Sequence, residues 1–172
     1  NLVANSLVSS LGSADRGGAE IGIVNPGGLR ADLLYGADGV ITYAEANSVL
    51  PFLNNLWTTT LTGAQFKLVL EQQWQRTIDG VPFTSGRTFL NLGLSDNVTY
   101  TYDPNRAMDD RVTGIFIDGQ PIDLAQDYRI GSFSFLLEGG DNFWEFRNGT
   151  DTRDSGLVDR DAWIDYITAN SP

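Results

Sequence analysis

Ile21-Gly22-Ile23-Val24-Asn25-Pro26-Gly27-Gly28-Leu29-Arg30, residues 21–30, starts as a short apolar strand and runs straight into a cluster of turn formers. Asn-Pro-Gly-Gly stops any regular element, so the strand delivers a tight loop. The paired glycines let backbone amides approach a ligand, and Arg30 follows as a fixed fork of donors for an anion. A Gly-Gly pair taken alone is more often a plain turn, so the weight of this reading depends on what surrounds it.

Upstream, Leu2, Val3, Leu7, Val8 and Leu11 recur at helical spacing and the pattern ends at Gly12-Ser13. Downstream, Thr42 and Glu45 form a capping box that opens a short helix through Ala46, Val49 and Leu50, and Pro51 ends it. Leu56 to Leu61 is rich in β-formers. Thr62 and Gln65 form a second capping box, opening a helix through Phe66, Val69, Leu70 and Trp74. Val98 to Tyr102 alternates as a strand does; Val112, Ile115 and Ile117 lead to Asp118-Gly119, a strong hairpin signal. Tyr128, Ile130 and Ser132 predict a further strand, Gly139-Gly140 a break, and residues from about Arg160 to Ala169 a last helix capped by Asp159, with Trp163 facing Ile167. No repeat or linker divides the chain, which reads as one α+β domain over 1–172 with a mixed or antiparallel sheet and several helices.

The 172 residues carry 22 acidic against 11 basic side chains, a formal charge of −11, with 41% apolar residues and 11% aromatics. That composition builds a folded core. The excess of acid argues against nucleic acid and anionic membranes as partners, since both select a basic face. Zero Cys and zero His remove the usual zinc, copper and iron ligands, thiol nucleophiles and a Ser-His-Asp triad. No apolar run reaches the roughly 20 residues that span a bilayer, so no membrane insertion is expected. A chain that opens at Asn1 and is helical at once reads as an excised piece.

Two more segments carry unusual chemistry. Phe133-Ser134-Phe135-Leu136-Leu137-Glu138-Gly139-Gly140-Asp141 joins an aromatic strand end to a glycine turn with a carboxylate, and Leu50-Pro51-Phe52 uses Pro to hold an aromatic ring outside regular structure. Each alone reads as core or turn. Two Phe rings facing each other at about 7 Å would make a slot for a flat base, each face worth roughly 1–3 kcal/mol. Asp103, Asn105, Asp109 and Asp110 offer oxygen ligands for calcium but lack the Gly and terminal Glu of an EF-hand loop. Asp109-Asp110 as an acid–base pair competes with a solvated turn, because adjacent side chains point apart. Asn97-Val98-Thr99 and Asn148-Gly149-Thr150 fit the glycosylation pattern, which arises often by chance.

Taken in order, Ile23-Val24-Asn25-Pro26-Gly27-Gly28-Leu29-Arg30-Ala31-Asp32, Ile41-Thr42-Tyr43, Val49-Leu50-Pro51-Phe52, Leu61 to Gln65, Tyr100 to Pro104 and Phe135 to Asp141 resemble the C-terminal domain of the 5′-nucleotidase family, across almost the whole chain. The resemblance implies a substrate-binding domain whose hydrolytic partner is a separate N-terminal metallophosphoesterase domain holding two divalent metal ions. No cofactor, metal or catalytic residue is expected in this domain, and the fragment alone is expected to be inactive.

By the same resemblance Phe52 and Phe135 sandwich the base, Asp141 accepts from ribose hydroxyls, Asn25 makes a polar contact near the base, Gly27 and Gly28 line the loop, Arg30 meets a phosphate and Asn54 adds to the pocket. Pro26 and Leu53 stand where that family usually has smaller residues, which stiffens the loop and narrows the slot. A further phosphate-binding Arg of the family pattern falls just before Asn1. The expected activity of the parent is hydrolysis of nucleoside monophosphates, outside the cytoplasm. A 2′,3′-cyclic-nucleotide phosphodiesterase, a nucleotide-sugar pyrophosphatase or a sulfur-compound hydrolase shares the resemblance; a non-catalytic nucleoside- or protein-binding module is the alternative of another class.

Overall fold

Helix α1 (Leu2–Leu11) ends at Gly12, as the periodicity predicts, and buries Val3, Ala4, Leu7 and Leu11. The computed structural model describes residues 1–34, 36 and 38–171. Strand β1 (Ile21–Val24) is buried along its whole length and is followed by a single 3₁₀ turn over Pro26–Gly28. Both capping boxes form. Thr42 opens α2 (Tyr43–Val49), and Thr62 ends β2 (Asn55–Thr62) and opens α3 (Gly63–Glu71). Trp74 lies beyond α3. The backbone turns over Gln72 and Gln73, and Trp74 bridges Phe89 instead, its ring tilted against Phe89 at 5.2 Å and edge-on to Tyr102 at 5.3 Å.

The rest of the chain is β3 (Gly93–Leu94), β4 (Val98–Tyr102), β5 (Val112–Ile117), β6 (Gln120–Pro121), β7 (Asp127–Phe133), the single turn α4 (Ser134–Leu137), β8 (Thr150–Val158) and α5 (Asp159–Ala169). Asp118 and Gly119, at φ 50° and 75°, make the β5–β6 turn, whose two left-handed positions suit Asp and Gly. Helix α5 is capped by Val158 without a side-chain bond, which corrects Asp159 as the cap. Asp159 is the first helical residue and is 1% exposed; its carboxylate turns inward to accept from Asn54 Nδ2 at 2.8 Å.

The main sheet has the order β3-β1-β7-β2-β8, and β4-β5-β6 form a second, antiparallel sheet. The main sheet is mixed: β1 runs parallel to β7, and every other pair is antiparallel. Ser132 Oγ donates to the Ile23 carbonyl at 2.6 Å, fixing β1 on β7. Alternating strand residues feed two apolar clusters. Ile21, Ile23, Leu61 and Ile130 pack with α3 and the second sheet, while Val24, Leu56 and Phe133 pack with α1, α2 and Trp163 of α5. Trp163 Nε1 donates to the Ala46 carbonyl at 3.1 Å, fastening α5 to α2.

This topology decides where a site can form. Because β1 and β7 are parallel, their carboxyl ends share one edge of the sheet, and antiparallel β2 begins at that same edge, with Leu56 opposite Phe133. Three loops therefore meet there: Asn25–Arg30 after β1, Phe52–Asn54 before β2, and Ser134–Asn142 after β7. A crevice outside the carboxyl ends of parallel strands is where sheets of this kind bind ligands.

Candidate functional site

Asn25 directly follows β1 and is 3% exposed. Its Nδ2 donates to Asp141 Oδ2 at 2.6 Å, while its Oδ1 is buried with no hydrogen-bond partner. A buried acceptor without a donor is costly, by about 1–3 kcal/mol, so a ligand hydroxyl or amine at this position would be favoured. The Gly28 position lies against Phe133 and Asn25: a Cβ there would come within 2.8 Å of the Phe133 ring and 3.0 Å of Asn25 Oδ1. Only glycine lets this turn pass so close to the strand end. Arg30 is placed by its backbone N–H, which donates to the Val49 carbonyl of α2 at 3.0 Å, and its guanidinium lies 5.5 Å from the centre of the Phe52 ring.

Phe52 follows Pro51 outside regular structure and is 47% exposed; Phe135, in α4, is 46% exposed. Both rings stand half in water and line one cavity at the strand ends. Asp141 and Asn142 both adopt left-handed backbone, with φ of 52° and 63°. Two successive non-glycine residues in that region cost of order 1–2 kcal/mol each, and such strain clusters at functional loops. Asn142 Nδ2 helps hold the loop by donating to buried Gln75 Oε1 at 2.8 Å.

A cavity of about 370 Å³ opens between these loops, lined by Asn25, Gly27, Gly28, Arg30, Phe52, Asn54, Phe135 and Asp141, together with Arg87 and Phe133. All eight residues singled out from the sequence are thus brought to one place. Asn54 reaches it with its amide already committed, since Nδ2 donates to Asp159. Burial drives the Asp159 carboxyl above its ordinary range, against the pull of the Asn54 and Arg160 hydrogen bonds. The two residues that sequence reasoning missed differ. Phe133 reads as core and is core, 1% exposed; Arg87 sits in an irregular segment with no flanking pattern.

The cavity combines two aromatic walls, one carboxylate, one orphan acceptor and two guanidinium groups, a set suited to a flat ring carrying hydroxyls and an anionic group. It does not fit a pair of divalent ions: Asp141 is its single carboxylate, the chain has no His, and among the described residues no group of three or more Asp or Glu is arranged to hold a metal. The acidic run elsewhere is otherwise engaged. Asp109 pairs with Arg76, Asp110 pairs with Arg106 at 2.6 Å, and Asp103 closes a local turn on Asn105. No described helix is long and apolar enough to cross a membrane.

Fold and cavity define an α+β domain with a mixed sheet and a small-molecule-sized site at its strand ends. The chain belongs to the 5′-nucleotidase family as its C-terminal domain, whose family model matches residues 1–147. It is 31% identical to the trifunctional nucleotide phosphoesterase protein YfkN of Bacillus subtilis, over 97% of this chain and 11% of that protein. It is 33% identical to the cell wall protein Lmo0130 of Listeria monocytogenes, over 90% of this chain and 19% of that protein. Among solved structures, the 5′-nucleotidase precursor from Thermus thermophilus superposes with a TM-score of 0.78 at 28% identity, over 98% of this chain and 32% of that one. The chain thus spans a third or less of these relatives.

Proposed function

We propose that this chain is the substrate-binding domain of a 5′-nucleotidase-type phosphoric ester hydrolase, holding a nucleoside monophosphate for a separate N-terminal metallophosphoesterase domain that carries the two metal ions. The observation that carries this reading is the convergence of Phe52, Phe135, Asp141, Asn25 and Arg30 on one cavity. In it the rings take the base, Asp141 accepts from the ribose diol, Asn25 Oδ1 gains a donor, and Arg30 moves from Phe52 to the phosphate. Asn25 holds Asp141 in place, so the polar contact and the ribose contact act together. A carboxylate suits a vicinal diol because charge-assisted bonds are about twice as strong as neutral ones.

This domain supplies position rather than turnover, and phosphate release from AMP by the isolated chain would contradict that division. Among family activities, the aromatic pair favours nucleotide esters over sulfur compounds. The parent works outside the cytoplasm on this reading, in line with the cell wall protein among its relatives.

Calorimetric titration of the chain with adenosine tests the slot. Phe52→Ala and Phe135→Ala are each expected to weaken binding about tenfold or more, from roughly 1–3 kcal/mol of stacking per ring. Both rings are half exposed, so thermal unfolding should move little. Unchanged adenosine affinity in both variants would remove the sandwich.

A further inference from the structure

We infer that Arg87 is a specificity-determining residue of the cavity, recognising a second anionic group so that the site favours nucleoside diphosphates over nucleoside monophosphates. This rests on the nucleotide reading above and extends it to a residue that neither the sequence motifs nor the strand-end topology points to.

The chain has twice as many acidic as basic side chains, so a guanidinium has many carboxylates to meet. Among the described residues, every arginine but two donates at least one side-chain hydrogen bond to a protein oxygen. The two exceptions are Arg30 and Arg87, and both line the same cavity. Among the described residues neither forms an ion pair within 4.0 Å, although Asp141 lines the same cavity. Asp141 Oδ2 is taken by Asn25 instead. A planar fork of five donors matches a phosphoryl group, and two forks without hydrogen bonds to described residues, one of them resting on Phe52, match two such groups.

The backbone at Arg87 is held in place by its surroundings. Gly86, at φ 73°, and the Thr88 N–H to Gly86 carbonyl bond of 3.2 Å make a tight turn at Arg87. The Thr88 carbonyl in turn accepts from the Gln75 N–H at 2.9 Å, and the Phe89 ring packs at a tilt against Trp74. Gln75 is the residue whose side chain accepts from Asn142, next to Asp141. The backbone beside Arg87 and the carboxylate loop are thereby tied to one buried glutamine, and Arg87 and Arg30 reach the cavity from separate loops. Arg30 meets the first phosphoryl group of a nucleotide, and Arg87 is left to meet a second.

The test measures adenosine, AMP and ADP binding to the 172-residue chain by calorimetry in magnesium-free buffer. The wild type should bind ADP about tenfold more tightly than AMP, the effect of one added charge-assisted contact. Arg87→Gln should bring that ratio to about one, whereas Arg30→Gln should weaken AMP and ADP together. Arg87→Ala provides a second variant, and the exposed, unbonded side chain leaves thermal unfolding as a check on folding in each. An ADP-to-AMP ratio that stays at its wild-type value in both Arg87 variants, or a wild type that binds adenosine and AMP but shows no preference for ADP, overturns the inference alone. Failure of the wild type to bind adenosine, AMP or ADP overturns the nucleotide reading beneath it as well.

Discussion

Asp159 shows how a single carboxylate can hold the site from behind. It is 1% exposed, accepts from Asn54 Nδ2, and its backbone N–H donates to the Asn54 carbonyl at 2.9 Å. Asn54 stands two residues after Phe52, so this pair anchors the loop that carries one aromatic wall. Burial raises the Asp159 carboxyl above its ordinary value. The folded state therefore keeps the proton to a higher pH than the unfolded chain does, and stability is lost as pH climbs from the ordinary carboxylate range through the raised one. Asp159→Asn keeps an acceptor for Asn54 and removes the ionisation. The difference in melting temperature, variant minus wild type, should therefore be more positive at about pH 7 than at about pH 4 in buffers of matched ionic strength. An equal difference at both pH values would show that ionisation of Asp159 is not linked to folding. Asn25 to Arg30 was legible because the residues are contiguous and chemically odd. Asp159 looked like a helix cap because Asp before a helix usually is one, and nothing local to it reveals that Asn54 competes for the carboxylate. Arg87 left no signal, since one exposed arginine in an irregular segment has no period or spacing.

At the level of elements, sequence reading succeeded where a short-range rule sets the geometry. In the Thr62 box, Gln65 N–H donates to Thr62 Oγ1 at 3.2 Å, and Thr62 N–H donates back to Gln65 Oε1 at 2.9 Å. The Thr42 box is the same device on a shorter, more exposed helix. Gln65 goes further, since its Nε2 donates to the Asn148 carbonyl and ties α3 to the segment before β8. Thr62→Ala should cost about 1 kcal/mol in urea unfolding, at the usual value for a lost N-cap, and Thr42→Ala should cost less. A larger loss at Thr42 would mean that α2, through its bond to Arg30, carries more of the fold than its length suggests. The Trp74 extension of α3 failed because the apolar spacing continues past the point where the backbone turns. β8 was invisible for another reason. Thr-Asp-Thr-Arg-Asp-Ser-Gly-Leu-Val has no apolar alternation because β8 is an edge strand exposed to water on both faces along most of its length. Charged side chains there discourage pairing with another molecule, and the device that protects the edge also hides it from pattern reading.

Across the whole molecule, the decisive feature is a pairing between strands more than a hundred residues apart, since β1 lies parallel to β7 and their ends bring Asn25 and Phe135 to one cavity. Composition and local periodicity do not encode which strand is the neighbour, so the α+β class was legible while the strand order was not; the resemblance of the ordered motifs supplied what periodicity lacked. Charge acts at the same scale. The excess of acid spreads repulsion over the whole surface, whereas the described ion pairs are few, and half of them have both partners well exposed. Exposed pairs contribute roughly 0–1 kcal/mol each and are themselves screened. Salt weakens both effects, and the repulsion of eleven uncompensated charges is the larger. Raising sodium chloride from about 20 to about 300 mM shortens the screening length from roughly 20 Å to under 10 Å and should raise the melting temperature at neutral pH. Chloride is the anion of choice because sulfate would stabilise through surface exclusion as well. If the melting temperature falls with salt instead, the few ion pairs, led by half-buried Arg76–Asp109 and Arg129–Asp151, hold the fold more strongly than the net charge strains it.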